Sequence, residues 1–236
     1  MKTRTTTLLI CVLTLMCSAF VSGQEEEGKH LFILSGQVNM ALFDYESFFT
    51  PLVEEEFGKD NVIVVRSALG GQAIRRWYKD WKPLTGNEPK AQPALFRAIF
   101  NEVNPLIKGQ DLKTVTVIWM GGETDAEEGF GNVYERSLKG LFQQFRDQLK
   151  REDINVVIGR LNDFGSDKKK EYVDWDMIRD IQVKVAESDD RYDWVDTDDL
   201  NDGRDENVLK IRPHNYQTLG ERLFEKAIAL IEKNKG

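Results

Sequence analysis

The sequence predicts an α/β protein, built as a three-layer α/β/α sandwich around a five-stranded parallel sheet. Five short runs of apolar or β-branched residues are typical of buried strands. Segments of helical spacing or helix length separate these runs and close the chain. The strand runs lie at residues 31–35, 61–65, 114–119, 155–161 and 192–195, and the helices between them at 43–57, 93–106, 134–150 and 175–186. Because strands alternate with helices, we expect helices on both faces of the sheet.

Length and charge limit the classes of function. With 236 residues, the chain suits one domain with a sizeable core. Hydrophobic residues make up 41% of the chain and charged residues 31%, which indicates a soluble globular protein. The formal charge of −8 argues against nucleic acid or an anionic membrane as a partner.

Residues 1–23 have the pattern of a secretory signal peptide. Lys2 and Arg4 give a basic start, and residues 7–20 form an apolar core followed by small side chains suited to cleavage. We therefore expect a mature domain at 24–236, a secreted or periplasmic location, and no membrane contact after cleavage. An uncleaved membrane anchor remains the alternative.

The sequence gives no indication of a metal or an organic cofactor. Both cysteines, Cys11 and Cys17, lie within the expected signal peptide, so the mature protein would have no disulfide and no cysteine-bound metal. Residues 196–206 form an acidic loop. Their spacing does not fit an EF-hand, so we expect a solvated loop there rather than a calcium site.

Three segments that could carry chemistry follow the first three predicted strands. A turn at 36–39 holds one apolar residue, Val38, among polar neighbours. A pair of glycines at 70–71 follows the second strand, and the segment 120–126 follows the third. Since the carboxyl ends of parallel strands meet at one edge of the sheet, these segments should form a single ligand site.

Residues 36–40, Gly-Gln-Val-Asn-Met, resemble the first block of the SGNH hydrolases, and more closely that of the carbohydrate esterases related to sialic-acid-specific acetylesterase. Those enzymes carry Gly-Gln-Ser-Asn-Met, in which the serine is the nucleophile. Residues 70–77 resemble their Gly-Gly-x-x-Ile-x-x-Trp block, and residues 119–126 their Trp-x-Gln-Gly-Glu-x-Asp-Ala block. The resemblance covers nearly the whole mature chain. It implies a flavodoxin-like strand order 2-1-3-4-5 and an acetylated carbohydrate or polysaccharide as ligand.

The mismatches collect at the positions that react in this family. Val38 stands at the nucleophile, and Gly121 stands where a glutamine donates an N–H to the oxyanion. Counting back from Tyr216 without a gap puts Lys210 at the catalytic histidine and Asn207 at its aspartate. Loss of a nucleophile or base alone costs about 10⁶ in kcat. The resemblance therefore implies an esterase homologue that is inactive or severely impaired.

The resemblance also implies which residues form the oxyanion and substrate pocket. Glycine N–H groups approach a ligand closely because no side chain shields them. Trp77 belongs to the same block and is a further candidate for glycan contact. The pocket positions are Asn39, Gly70, Gly71, Gln72, Gly121 and Glu123.

Alternatives stay open at this point. A shifted loop would bring His214 into the site in place of Lys210. Glu123 and Asp125 invite comparison with the carboxylate pair of a glycosidase, although side chains two apart on a turn more often diverge. The protein is then a silent hydrolase that binds glycan, an active carbohydrate O-acetylesterase with a rearranged site, or an interaction protein.

Overall fold

The computed structural model describes residues 28–163, 171–202 and 208–234. Within them lies a parallel five-stranded sheet in the order β2-β1-β3-β4-β5. The predicted fold class and the strand order implied by the resemblance are both confirmed. The expected signal peptide and Asn207 lie outside the described residues. The strands are β1 (Lys29–Gly36), β2 (Val62–Ala68), β3 (Leu112–Met120), β4 (Asn155–Gly159) and β5 (Tyr192–Val195).

The helices form a layer on each face of the sheet. They are α1 (Val38–Leu42), α2 (Tyr45–Phe48), α3 (Thr50–Phe57), α4 (Ala94–Ile107), α5 (Glu123–Glu127), α6 (Gly131–Leu149), α7 (Trp175–Ala186) and α8 (Tyr216–Lys233). None of the helices in the described ranges has both the length and the apolar content that crossing a membrane requires.

Strand side chains alternate between two buried clusters, one under each helical layer. Leu31 and Ile33 of β1 belong to the cluster covered by α4, α6 and α7. Phe32 and Leu34, which point the other way, belong to the cluster covered by α1, α3 and α8. The sheet is therefore buried on both faces, and only its edges and strand ends reach solvent.

The helix predicted at 43–57 is divided into several pieces in the structure. The Asp44 side chain accepts a hydrogen bond from Ser47 N at 3.3 Å and caps α2. Pro51 lies in the first turn of α3, where its missing N–H has no intrahelical acceptor to lose. Local capping thus divides a segment whose apolar spacing is nearly continuous.

Candidate active site at the carboxyl edge of the sheet

The turn after β1 brings Val38 to the carboxyl edge of the sheet. Gly36 has φ +139°, and a Cβ there would lie 1.8 Å from the carbonyl oxygen of Met120, so no other residue fits. Gln37 N donates to the same oxygen at 2.6 Å. Val38 then begins α1 and is half-buried, at the position that the resemblance assigns to the nucleophile.

The loop after β2 lies against Val38. Leu69 N donates to the carbonyl oxygen of Gly36 at 3.0 Å and fixes the start of this loop. A Cβ on Gly70 would lie 3.3 Å from Val38 Cβ, so these two residues are in contact. Gly71 has φ +69°, and within the described ranges no atom beyond its chain neighbours lies within 4 Å of where its Cβ would stand. The space beside Gly71 is therefore open to a ligand.

Gln37 joins the two loops that flank Val38, a role that sequence analysis missed. Its side chain is 1% exposed. Gln37 Oε1 accepts from Gly122 N at 2.7 Å and from Thr124 N at 3.4 Å, at the start of α5. Gln37 Nε2 donates to the carbonyl oxygen of Gln72. One buried amide thus satisfies backbone groups of both loops.

Gly121 occupies the position where the family carries a glutamine. Its carbonyl oxygen accepts from the Tyr134 hydroxyl and from Gln182 Nε2, both at 2.7 Å. A Cβ at Gly121 would lie 3.0 Å from the Trp119 ring and 3.4 Å from Gln37 Cγ. The backbone is therefore fixed here, and the space for a longer side chain is narrow.

Two buried carboxyl groups lie on α5, and each faces a different loop. Asp125 Oδ2 accepts from Ile74 N at 2.9 Å. Burial raises the pKa of Asp125 to about 7, against the lowering effect of that N–H group. Burial likewise raises the pKa of Glu123 to about 8, and the nearby Asn39 N–H opposes the shift. Neither oxygen of Glu123 accepts a hydrogen bond of normal geometry within the described ranges.

The segment before α8 is tied by asparagine side chains to the turn after β1 and to the end of β4. Asn39 Oδ1 accepts from Ile211 N at 2.9 Å, and Asn39 Nδ2 donates to the carbonyl oxygen of Leu209 at 3.4 Å. Asn162, after β4, donates to the same carbonyl oxygen at 2.9 Å. Lys210 lies between the two tied residues, and its side chain is exposed. The main chain of this segment therefore lies beside Asn39.

His214 lies in the 3₁₀ turn that precedes α8. Its Nε2 is 2.9 Å from Asp202 Oδ1, and the imidazole side chain is 67% exposed. Arg212 Nε lies 2.9 Å from the other oxygen of Asp202. His214 thus has a carboxylate partner on the surface, while Lys210 has the main-chain position nearer to Asn39.

The hydroxyl nearest to the turn along β1 is unsuited to attack a substrate. Ser35 is fully buried, donates to the carbonyl oxygen of Ser67 at 2.7 Å, and accepts from Trp77 Nε1 at 3.1 Å. Trp77 is itself fully buried and packs edge-on against Trp119 at 5.2 Å between ring centroids. Trp77 therefore supports the floor of the site rather than presenting a face to a glycan.

The fold and this arrangement of loops define a protein of the SGNH hydrolase class. A sequence profile described as "Carbohydrate esterase, sialic acid-specific acetylesterase" matches residues 43–229. The protein therefore belongs to this carbohydrate esterase family. The match begins after Val38, so the position of the nucleophile lies outside it. No curated protein sequence is similar enough to this chain to count as a relative.

Solved structures share the fold at low sequence identity. A protein from Arabidopsis thaliana has a TM-score of 0.62 and 18% identity, with 86% of this chain and 98% of that chain covered. A carbohydrate acetylesterase from Xanthomonas citri has a TM-score of 0.63 and 18% identity, with 87% and 57% covered. A catalytic mutant of an acetylxylan esterase from Geobacillus stearothermophilus has a TM-score of 0.53 and 13% identity, with 85% and 94% covered.

Proposed function

We propose that the protein is a secreted or periplasmic member of the carbohydrate acetylesterase family that binds acetylated carbohydrate and does not hydrolyse it. The observation that carries the proposal is Val38, which contacts Gly70 and stands where the resemblance places the nucleophile. A valine side chain has no oxygen and cannot form an acyl-enzyme. The loops around it keep the form of a site while the reacting atom is missing.

The other side chains near Val38 do not supply a nucleophile, a base or a full set of oxyanion donors, which supports this proposal. Ser35 is buried and engaged, so it does not replace the nucleophile. Lys210 is exposed and has no hydroxyl to activate at position 38. The Asn39 amide makes its hydrogen bonds to the 209–211 segment. An oxyanion formed next to Val38 would therefore find fewer free donors than an esterase requires.

Binding requires fewer groups than catalysis does. The pocket retains backbone N–H groups and open space that could receive an acetyl group. The backbone at Gly71 is unshielded, and no other residue that the structure describes fills the space next to it. The Gln72 side chain lies half-buried on the same loop. An acetyl carbonyl would accept hydrogen bonds from such N–H groups, and Val38 would contact its methyl group.

Acetate release is the direct test of this proposal. Purified mature protein should hydrolyse p-nitrophenyl acetate and acetylated xylo-oligosaccharides no faster than buffer does. Isothermal titration should still detect the acetylated oligosaccharide and give weaker binding for its deacetylated form. Turnover well above buffer would contradict the proposal, and so would equal affinity for the two forms.

An active esterase with a rearranged site is the second candidate function. It is favoured by the hydrogen bond between His214 and Asp202, which is the kind of pair that orients a general base. Under this proposal, a fluorophosphonate probe would label some hydroxyl in the mature chain, and His214→Ala would abolish both labelling and turnover. Absence of labelling in active protein would exclude a serine mechanism.

The proposed location has its own test. Expression of the full chain in a bacterial host should release a protein that begins at Gln24, found in the periplasm or the medium. The mass of the intact secreted protein determines the start. A product that keeps Lys2 and stays with the membrane would favour the uncleaved anchor.

A further inference from the structure

The segment after β2 carries a charge opposite to that of the whole chain. Residues 75–97 contain six basic and two acidic side chains, a balance of +4, whereas the chain has a formal charge of −8. Lys79 and Lys82 are exposed, and their ammonium groups make no ion pair with any carboxylate in the described ranges. Within residues 78–91 themselves there are three lysines and two carboxylates, and Lys90 Nζ lies 3.3 Å from Glu88 Oε1. The unpaired positive charge of the loop is therefore at Lys79 and Lys82, in an otherwise acidic protein.

Two neighbouring cavities lie on either side of Lys82 and Pro83 in this loop. One, of about 420 Å³, is lined by Trp81, Lys82, Asn87 and Lys90 among others. The second, of about 410 Å³, is lined by Tyr78, Asp80 and Arg136 together with Lys82 and Pro83. Both volumes fall in the range of small-molecule sites and would hold a sugar unit each.

Trp81 adds an unused hydrogen-bond donor to the wall of the first cavity. The side chain is 2% exposed, and its Nε1 has no acceptor within the described ranges. An indole N–H can only donate, and buried donors in proteins nearly always find an acceptor. The Nε1 atom is shielded from solvent, so a ligand oxygen in the cavity would become its acceptor only after a small shift of the indole.

The loop is held in place rather than loosely attached. The Arg136 guanidinium, on α6, donates to the carbonyl oxygens of Lys82 and Pro83, the second at 3.2 Å. The Tyr78 ring lies over Gly140 of α6, where a Cβ would come within 2.3 Å of the ring and hydroxyl. The wall that the two cavities share, at Lys82 and Pro83, is therefore held in place before any ligand arrives, which lowers the entropy cost of binding there.

We propose that this loop, residues 78–91 with Arg136, is a binding site for an anionic polysaccharide whose sugars carry carboxylate groups. Lys82 would pair with one carboxylate, and Lys90 would exchange its exposed ion pair with Glu88 for the next carboxylate along the ligand. Tyr78 and Trp81 would contact the sugar rings. The inference rests on the proposed function, from which we take the expectation that the ligand is a carbohydrate. It adds that the polysaccharide is negatively charged and that it binds at a site separate from Val38.

The loop also connects physically with the candidate acetyl pocket. The chain that leads into the loop, residues 70–77, begins at the glycine pair, where Gly70 contacts Val38. Arg75 reaches across from it to form an ion pair with Glu128, just after α5, and lies 5.9 Å from the Trp81 ring. A stiff, extended polyanion such as duplex nucleic acid would meet the acidic surface beyond this loop.

Charge reversal with a matched control tests the proposal. Isothermal titration at low salt should detect an oligogalacturonate of six sugars and not a neutral xylo-oligosaccharide of the same length. The double variant Lys82→Glu/Lys90→Glu should weaken oligogalacturonate binding at least tenfold. The control Lys59→Glu/Lys108→Glu makes the same change in net charge at exposed positions near the amino edge of the sheet, and should change the affinity less than twofold.

A second variant addresses the indole donor. Trp81→Phe keeps an aromatic ring but removes the N–H, and it should weaken oligogalacturonate binding about fivefold while thermal unfolding remains cooperative. An unchanged affinity in this folded variant would remove Trp81 from the site. Equal losses in the two charge-reversal variants would show a general charge effect and overturn the proposal. Equal binding of a polyphosphate would overturn the assignment to sugar.

The oligogalacturonate carries no acetyl groups, so its binding is independent of the acetyl pocket. Val38→Phe, which places a ring against Gly70, should abolish preference for acetylated oligosaccharide and leave oligogalacturonate binding unchanged. If the proposed function is wrong, the parent protein will show no preference for acetylated oligosaccharide, and oligogalacturonate binding will not be affected. Failure of the anionic site would appear in the charge-reversal pair, whatever Val38→Phe does.

Discussion

The turn after β1 and the 208–216 segment both carry family blocks, but they are held in different ways. Around the turn, Gly36 and Gln37 contact β3 and two loops through close packing and buried hydrogen bonds. The 208–216 segment is tied to the turn by Asn39 and to the end of β4 by Asn162, and Lys210 lies exposed between the tied residues. The comparison shows that the architecture of the candidate site is built by residues other than Val38 and Lys210.

The largest effect that tests this comparison is expected at Gly36. The substitution Gly36→Ala places a Cβ 1.8 Å from the Met120 oxygen at a φ of +139°. We expect no cooperative unfolding transition, or a loss of at least about 4 kcal/mol in the free energy of unfolding in urea. Gly109→Ala is the control, since its φ is +75° but no atom lies within 4 Å of the new Cβ.

For that control we expect a loss of about 1–2 kcal/mol, due to backbone strain alone. Similar losses in the two variants would mean that β1 and β3 approach less closely than described, and that the turn has no special rigidity.

Burial of Glu123 predicts a pH dependence of stability. Its pKa is about 8 in the folded protein against an ordinary value of 4.5. Between these values the unfolded chain releases the proton and the folded chain keeps it, so the free energy of unfolding falls as pH rises. We expect Glu123→Gln to remove on the order of 2–4 kcal/mol of the decline between pH 5 and pH 8, measured by urea unfolding.

One control variant supports that measurement. Glu127→Gln changes an exposed carboxyl of the same helix and should leave the decline as it is in the parent protein. The pKa of Asp125, raised to about 7, contributes a fall of the same sign in every variant. A parent protein whose stability is flat between pH 5 and pH 8 would show that Glu123 is hydrated rather than buried.

Much of this fold could be predicted from sequence because its signals are local. Apolar runs locate the five strands, and the convergence of parallel strand ends brings Val38 next to Gly70. The role of Gln37 could not be predicted, since its partners lie 35 to 87 residues away in the chain. The partner of Asn39, Ile211, is 172 residues away. Side-chain pairing over such separations depends on the finished fold.

Restoring the family's residues at the substituted positions tests the turn after β1 and the segment before α8 in one experiment. The variant Val38→Ser/Gly121→Gln/Asn207→Asp/Lys210→His should hydrolyse p-nitrophenyl acetate at least about 100-fold faster than the parent, equivalent to about 2.7 kcal/mol of transition-state stabilisation. Omitting Gly121→Gln removes one oxyanion donor and should reduce the gain. The tight contact of position 121 with Trp119 should lower stability in the full repair.

A matched variant with Val38→Ala in place of Val38→Ser should show no gain, because it lacks the hydroxyl. A folded repair variant without activity would mean that Lys210 and Asn207 are not the positions of the base and its carboxylate. His214 would then be the first residue to test in their place.

The smallest expected effect concerns the hydrogen bond from Ile211 N to Asn39 Oδ1, which connects the 208–216 segment to the turn after β1. Asn39→Ala leaves Ile211 N without the acceptor it has at 2.9 Å, and should cost about 1–3 kcal/mol of stability. Hydrogen exchange should accelerate at the Ile211 amide. Asn162→Ala is the matched control, because it removes a donor to the Leu209 carbonyl and leaves the Ile211 bond intact. Faster exchange at Ile211 in the control as well would mean that the segment is held as one unit, and that Asn39 alone does not connect it to the turn.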